Sequence, residues 1–183
     1  MPGPAIQRSI LFVSGAPGSG KSTVAHALAS ALPFALIAKD RIKETLFESI
    51  EPHMAAKLEH DLSGMAMRIL WALAADCPQV ILEANFRPKN PVQRFTIEGL
   101  VGRKLEIYCR CPAEVAMRRF AERAKRADHH PAHTLRQMSA GQMAEYDRPI
   151  GLSPVIEVDT TRPVEIEKLM AEICELWPDI EAR

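Results

Sequence analysis

The chain carries no surplus of charge of either sign: 23 Lys and Arg stand against 23 Asp and Glu, and the formal net charge is zero. That balance argues against a protein that wraps long stretches of nucleic acid, although it leaves room for a small basic site that takes a nucleic-acid end. Cysteine is scarce. Cys77, Cys109, Cys111 and Cys174 have neither C-x-x-C spacing nor ligand-spaced histidines beside them, so they read as reduced, mostly buried thiols of a cytoplasmic protein. No apolar run approaches the ~18 residues of a membrane span, and Met1-Pro2-Gly3-Pro4 opens no basic region followed by an apolar core. Neither a membrane span nor a secretion signal is expected. Repeats, low-complexity tracts and linkers are missing as well. What remains is ordinary globular composition, 47% hydrophobic and 25% charged over 183 residues, enough for one domain spanning 1–183 with a sizeable core.

Short apolar runs at 9–14, 34–38, 79–84, 104–109 and 154–158 read as buried strands. Helical patterns separate them, which is the sequence form of a parallel five-stranded sheet covered on both faces by helices, a three-layer α/β architecture. The helix over 23–32 places Ala25, Leu28, Ala29 and Leu32 on one stripe, and Ile42, Leu46 and Ile50 mark a short one. Over 53–76, Leu58, Leu62, Met65, Ile69 and Leu73 recur at helical spacing and read as core. Pro112 can open a helix over about 113–127, and a last helix spans 162–177 before Pro178.

Residues 15–22 read Gly15-Ala16-Pro17-Gly18-Ser19-Gly20-Lys21-Ser22, a G-x-x-x-x-G-K-S loop between a strand and the helix opened by Thr23. Glycines let such a loop bend until successive backbone N–H groups point inward, and the helix start adds its positive end. The loop, with Thr23, is a cradle for nucleotide phosphates; Lys21 can reach the outer phosphates and Ser22 can coordinate magnesium. No Asn-Lys-x-Asp guanine-reading motif accompanies it, so ATP is favoured over GTP.

Ligands of a doubly wound sheet bind past the carboxyl ends of its strands. Past the second strand stand Lys39, Asp40 and Arg41. Asp40 suits the carboxylate that orients an acceptor hydroxyl and takes its proton; it equally suits a helix N-cap, and the roles are compatible. Arg41 reads as a partner of acceptor or of Asp40, or as a solvated first-turn charge. Glu83 ends an apolar strand, where a carboxylate is costly unless paired or near a metal, so it is assigned to magnesium or acceptor. Asn85 and Arg87 follow in the same loop and can grip the acceptor. Residues 110–136 hold seven Lys or Arg against three acids, and Arg119, Arg123 and Arg126 share a stripe away from the packing face. They read as arginines of a mobile lid, with a solvated cationic face as the alternative. Asp128, His129, His130, Pro131, Ala132 and His133 make its tip, with no cysteine to support zinc.

With the phosphate loop, Lys39-Asp40-Arg41-Ile42-Lys43, Ile81-Leu82-Glu83-Ala84-Asn85-Phe86 and the 119–133 region, the chain resembles the small P-loop kinases labelled AAA-type or zeta-toxin-like ATP-binding proteins. These are similar to phage polynucleotide 5'-kinase and chloramphenicol phosphotransferase. The resemblance implies a P-loop NTPase, nucleotide-kinase-like fold with a small helical lid at about 119–135. It also implies ATP as donor, magnesium as cofactor, Asp40 as acceptor-activating Asp, and Arg123 and Arg126 as lid arginines. The family's Arg-His-Pro-Gly-His stands here as His129-His130-Pro131-Ala132-His133, without its arginine and its glycine.

The expectation is a cytoplasmic ATP-dependent kinase acting on a hydroxyl of a small molecule such as a metabolite, sugar, nucleoside or antibiotic. A nucleic-acid 5'-hydroxyl kinase and an acceptor-free ATP-binding switch are the alternatives. The acceptor pocket is expected between the 53–76 helix and the loop after Glu83, lined by Met54, Met65, Met67 and Phe86.

Overall fold

The computed structural model describes residues 7–51 and 59–180. Its first strand, β1 (Ser9–Ser14), is buried along its whole length, as an apolar run must be when both faces are covered. It lies at the centre of a five-stranded parallel sheet of order β2-β3-β1-β4-β5, with β2 at Ala35–Ala38, β3 at Gln79–Glu83, β4 at Arg103–Arg110 and β5 at Val155–Asp159. Side chains alternate across β1. Leu11 and Val13 join the core under α1 (Lys21–Ala31) and the C-terminal helix, whereas Ile10 and Phe12 join the core of the other face. The expected three-layer architecture is the one observed.

Between β2 and β3 the chain forms α2 (Lys39–Glu48) and α3 (Glu59–Asp76). On α3 the fully buried row is Leu62, Ala66, Leu70 and Ala74; it keeps Leu62 of the expected stripe, whereas Met65 and Ile69 are half-buried and Leu73 is 45% exposed. Alternating Leu with Ala along one i, i+4 row lets the helix approach its neighbours, an advantage that a count of bulky residues misses. Leu58 and Met54 lie outside the described residues.

The helix α4 (Pro91–Gly99) had no counterpart in the sequence reading. Asn90 caps it by accepting from the Gln93 N–H, and Pro91 occupies its first turn. Val92 and Phe95 are exposed on it, 72% and 79%, which blurs the helical period that buries Ile97. The helix α5 (Ala113–Arg123) stops four residues before its expected end, and turns follow to α6 (Ala140–Met143) and a 3-10 turn at Ala144–Tyr146. The last helix, α7 (Ile166–Leu176), starts four residues late because Pro163 disfavours helix at Arg162. As edge strands, β2 and β5 are only partly buried. All four cysteines are free, but Cys109 alone is buried, so the expectation of mostly buried thiols fails at Cys77, Cys111 and Cys174.

Candidate functional site

The loop between β1 and α1 turns on three left-handed glycines, Gly15, Gly18 and Gly20, with φ of 134°, 82° and 87°. At Gly18 the need is double, because a Cβ would stand 2.2 Å from the Ala116 carbonyl oxygen. Gly20 itself caps α1 and offers no side chain to the first-turn N–H groups, which stay available to an anion. The Ser19 hydroxyl is fully buried in the loop without a hydrogen-bond partner. The first-turn N–H groups that this helix start leaves uncapped fit a polyphosphate.

Lys21, at the first residue of α1, is buried, and its Nζ donates to the Ala16 carbonyl at 2.8 Å. Burial lowers its pKa; Glu83, Cys109 and Asp40 act in the opposite sense, and Arg123 reinforces the lowering. Residues from three strand ends and α5 therefore act on one ammonium. Glu83 is itself 5% exposed, and burial raises its pKa against the pull of Lys21. Its place follows from register: Glu83 pairs with Val13 on one side and Ala38 on the other, so it lies between the phosphate loop and the start of α2. Cys109, beside Gly15, has its thiol pushed up to about 12 by burial and remains neutral.

Asp40 is the second residue of α2, whose N-cap is Ala38 with no side-chain cap bond. The cap reading is thereby removed: the carboxylate stands in the first helical turn and lines the cavity. The cavity measures about 1370 Å³, larger than the ~300–1,000 Å³ typical of a single small-ligand cleft. Pro17, Gly18, Gly20, Lys21, Ser22 and Thr23 form its phosphate-loop end. Asp40, Arg41, Glu83, Asn85, Arg87, Arg123 and Arg126 also face it. Gly15, Ala16 and Ser19 are behind this surface, and Arg41 is largely exposed, 3.8 Å from Glu44.

The arginine stripe is divided by the early end of α5. Arg119 donates to the Thr160 and Thr161 carbonyls at 2.9 and 3.3 Å, tying α5 to the loop after β5, and is absent from the cavity wall. Arg123 remains on the helix and lines the cavity together with Lys21. Arg126 lies beyond it and donates twice to Asp128, at 2.9 and 2.8 Å. The 128–133 segment packs on α2: His133 Nε2 is 3.0 Å from Glu44 Oε1, and His130 Nε2 is 3.3 Å from Glu48 Oε1 while its ring meets Phe47 edge-on. Ala132 is fully buried, and no described non-glycine residue has a left-handed φ, so this position does not require the family's glycine. Among the described residues no three His, Cys, Asp or Glu side chains gather as a metal site. Ser22 and Glu83 supply hard oxygen donors on the cavity, which suits magnesium carried in with phosphates rather than held alone.

Several cavity residues were given no role by the sequence, although Lys39 and Lys43 stand in the segment past the second strand. Lys39 donates to Ser63 Oγ at 2.7 Å, Lys43 is buried on the same helix, and Arg68 and Trp71 enter from α3. Their signal was weak, since a lysine one turn past Asp40 reads as solvated until α3 is seen to cover it. Met67 lines the cavity as expected, whereas Met65 does not and Phe86 is buried in the core against Phe12 and Trp71.

The model of a family described as AAA domain matches residues 10–144. Among solved structures, a candidate kinase from Chloroflexus aurantiacus superposes with a TM-score of 0.77 at 22% identity, covering 92% of this chain and 98% of that one. A sugar kinase from Janibacter sp. gives 0.57 at 19%, covering 95% of each. Shikimate kinase from Acinetobacter baumannii, bound to shikimate, gives 0.54 at 15%, covering 93% and 92%. At such identities the likeness establishes a kinase-like P-loop fold. Comparison with curated protein sequences returns no match.

Proposed function

This chain belongs to the AAA domain family, and from that premise we propose that it is an ATP-dependent phosphotransferase that modifies a hydroxyl of a small molecule. One observation carries the proposal: Asp40 and Glu83 act on the charge of the phosphate-loop Lys21, in a cavity that extends past them along α2 and α3. A binding switch needs the loop but not that further space. The sugar and shikimate kinases among the structural neighbours support the same class of acceptor. The lid contacts from His130 and His133 to α2 favour a small molecule over a polymer end, which would have to part them.

When bound, ATP supplies the transferable γ-phosphoryl group and magnesium offsets its charge. The loop N–H groups and Lys21 hold the phosphates, and Arg123 faces the same charge from the lid. Asp40 orients the acceptor hydroxyl and receives its proton as the new oxygen–phosphorus bond forms and the bond to the departing ADP oxygen breaks. Ser22 and Glu83 would hold magnesium through their oxygens, and the cation would offset the desolvation of the buried Glu83.

Transfer of label from γ-labelled ATP to a panel of sugars, hydroxy acids, nucleosides and 5'-hydroxyl oligonucleotides tests the reading. Transfer to a small molecule, lost in Asp40→Asn, is expected. Transfer to oligonucleotides alone, falling steeply with salt, would point to the nucleic-acid alternative.

A further inference from the structure

The cations of the cavity fall into two sets that share the same two carboxylates. Lys21 feels Glu83, Asp40 and Arg123; Lys39 feels Asp40, Lys43, Arg87 and Glu83. The first set belongs to the phosphate loop and lid. The second lies on the far side of Asp40, on α2 and the loop after β3, with Arg68 added from α3.

That second set exceeds the acids available to it. Arg87 is matched by Glu145 at 3.0 Å, and Glu44 is engaged by His133. Among the described residues Lys39 has only the Ser63 hydroxyl as hydrogen-bond partner, and Lys43 and Arg68 have no ion pair or hydrogen bond. Lys43 does so at 9% exposure, and Lys39 is buried deeply enough that desolvation lowers its pKa. Burying unmatched ammonium groups is costly, and a bound anion removes the cost. Trp71 and Met67, also on α3, give the same compartment an apolar wall.

We infer that the compartment formed by Lys39, Lys43, Arg68 and Trp71 is an anion subsite, and that the acceptor is an alcohol bearing a carboxylate or a phosphate. This rests on the kinase reading for the identity of the ligand, but not for its charge. An anion held there leaves the rest of the molecule to present its hydroxyl to Asp40, between the two cation sets.

The test uses the full chain saturated with magnesium and a non-hydrolysable ATP analogue, so that added anions cannot enter the phosphate loop. Trp71 fluorescence reports binding, since the other tryptophan, Trp177, is buried against Phe34 on the opposite face of the sheet. Hydroxy acids are titrated against their methyl esters, alcohol monophosphates against the parent diols, and inorganic phosphate alone. At least one anionic arm should bind about tenfold or more tightly than its neutral counterpart, and which arm does so separates carboxylate from phosphate. The preference should shrink in Lys43→Met and Arg68→Gln and persist in Lys89→Met, a surface lysine paired with Asp147. Equal binding of charged and neutral partners, no binding by any anion including phosphate, or an undiminished preference in both variants would overturn the subsite. Label transfer is read separately: anion binding without transfer removes the kinase reading alone, and transfer to neutral acceptors without anion preference removes the subsite alone.

Discussion

Ala38 and Glu83 are register partners on adjacent parallel strands, which places Asp40, two residues past Ala38, beside the Glu83 carboxylate and within the field of Lys21. Two acids and one buried lysine from three separate strand ends thus share one electrostatic neighbourhood. Its consequences are open to measurement.

Asp40→Asn removes the proton acceptor and keeps the side-chain shape. Binding of an ATP analogue by calorimetry should stay within about threefold of wild type, while kcat/KM for transfer should fall by about two orders of magnitude or more. Lys21→Ala should weaken both. Equal transfer by wild type and Asp40→Asn would remove Asp40 from the mechanism.

Lys21 is desolvated without phosphates. Lys21→Met should therefore leave the nucleotide-free protein at least as stable as wild type. The rise in Tm that an ATP analogue produces in wild type should disappear. A variant that is destabilised yet still shows the full ligand-induced rise would contradict this account.

For Glu83 the sign runs against the usual carboxylate. Its folded pKa is raised, so the folded state holds the proton more tightly than the unfolded chain, and stability drops as pH climbs from the ordinary glutamate range through the raised value. Glu83→Gln should thus gain in Tm on wild type across that interval, with no gain at lower pH, while losing magnesium-dependent transfer. Thermal melts at a series of pH values decide it.

Glu106 is wholly buried and acts only as an acceptor: Ser14 Oγ and the Ile150 N–H donate to Oε1, and the Gly151 N–H donates to Oε2 at 3.0 Å. Glu106→Gln sets an amide N–H₂ against at least one of these donors and should cost about 1–3 kcal/mol in urea unfolding. In the sequence, one acid within a strand looks the same whether it faces water or three donors.

Gly18→Ala meets both a left-handed φ and the Ala116 carbonyl. Loss of analogue binding is expected, with the far-UV spectrum of the sheet and helices retained. Near-normal binding would show that the loop can shift away from α5.

The sequence alone determined the phosphate loop, the alternation of strands and helices, and the candidates Asp40, Glu83 and Arg123, since each rests on local spacing: glycines at fixed offsets, apolar runs of strand length, polar residues just past them. It could not display α4, whose exposed Val92 and Phe95 hide its period, or the true buried row of α3, where alanines carry the contact. Strand order belongs to the tertiary structure, because pairing of β3 between β2 and β1 joins residues far apart in the chain. The same pairing decides what each ionisable side chain feels. The sequence gives Lys39 and Lys43 no depth; only the packing of α3 against α2 withdraws them from water and leaves their charge to be met by a ligand.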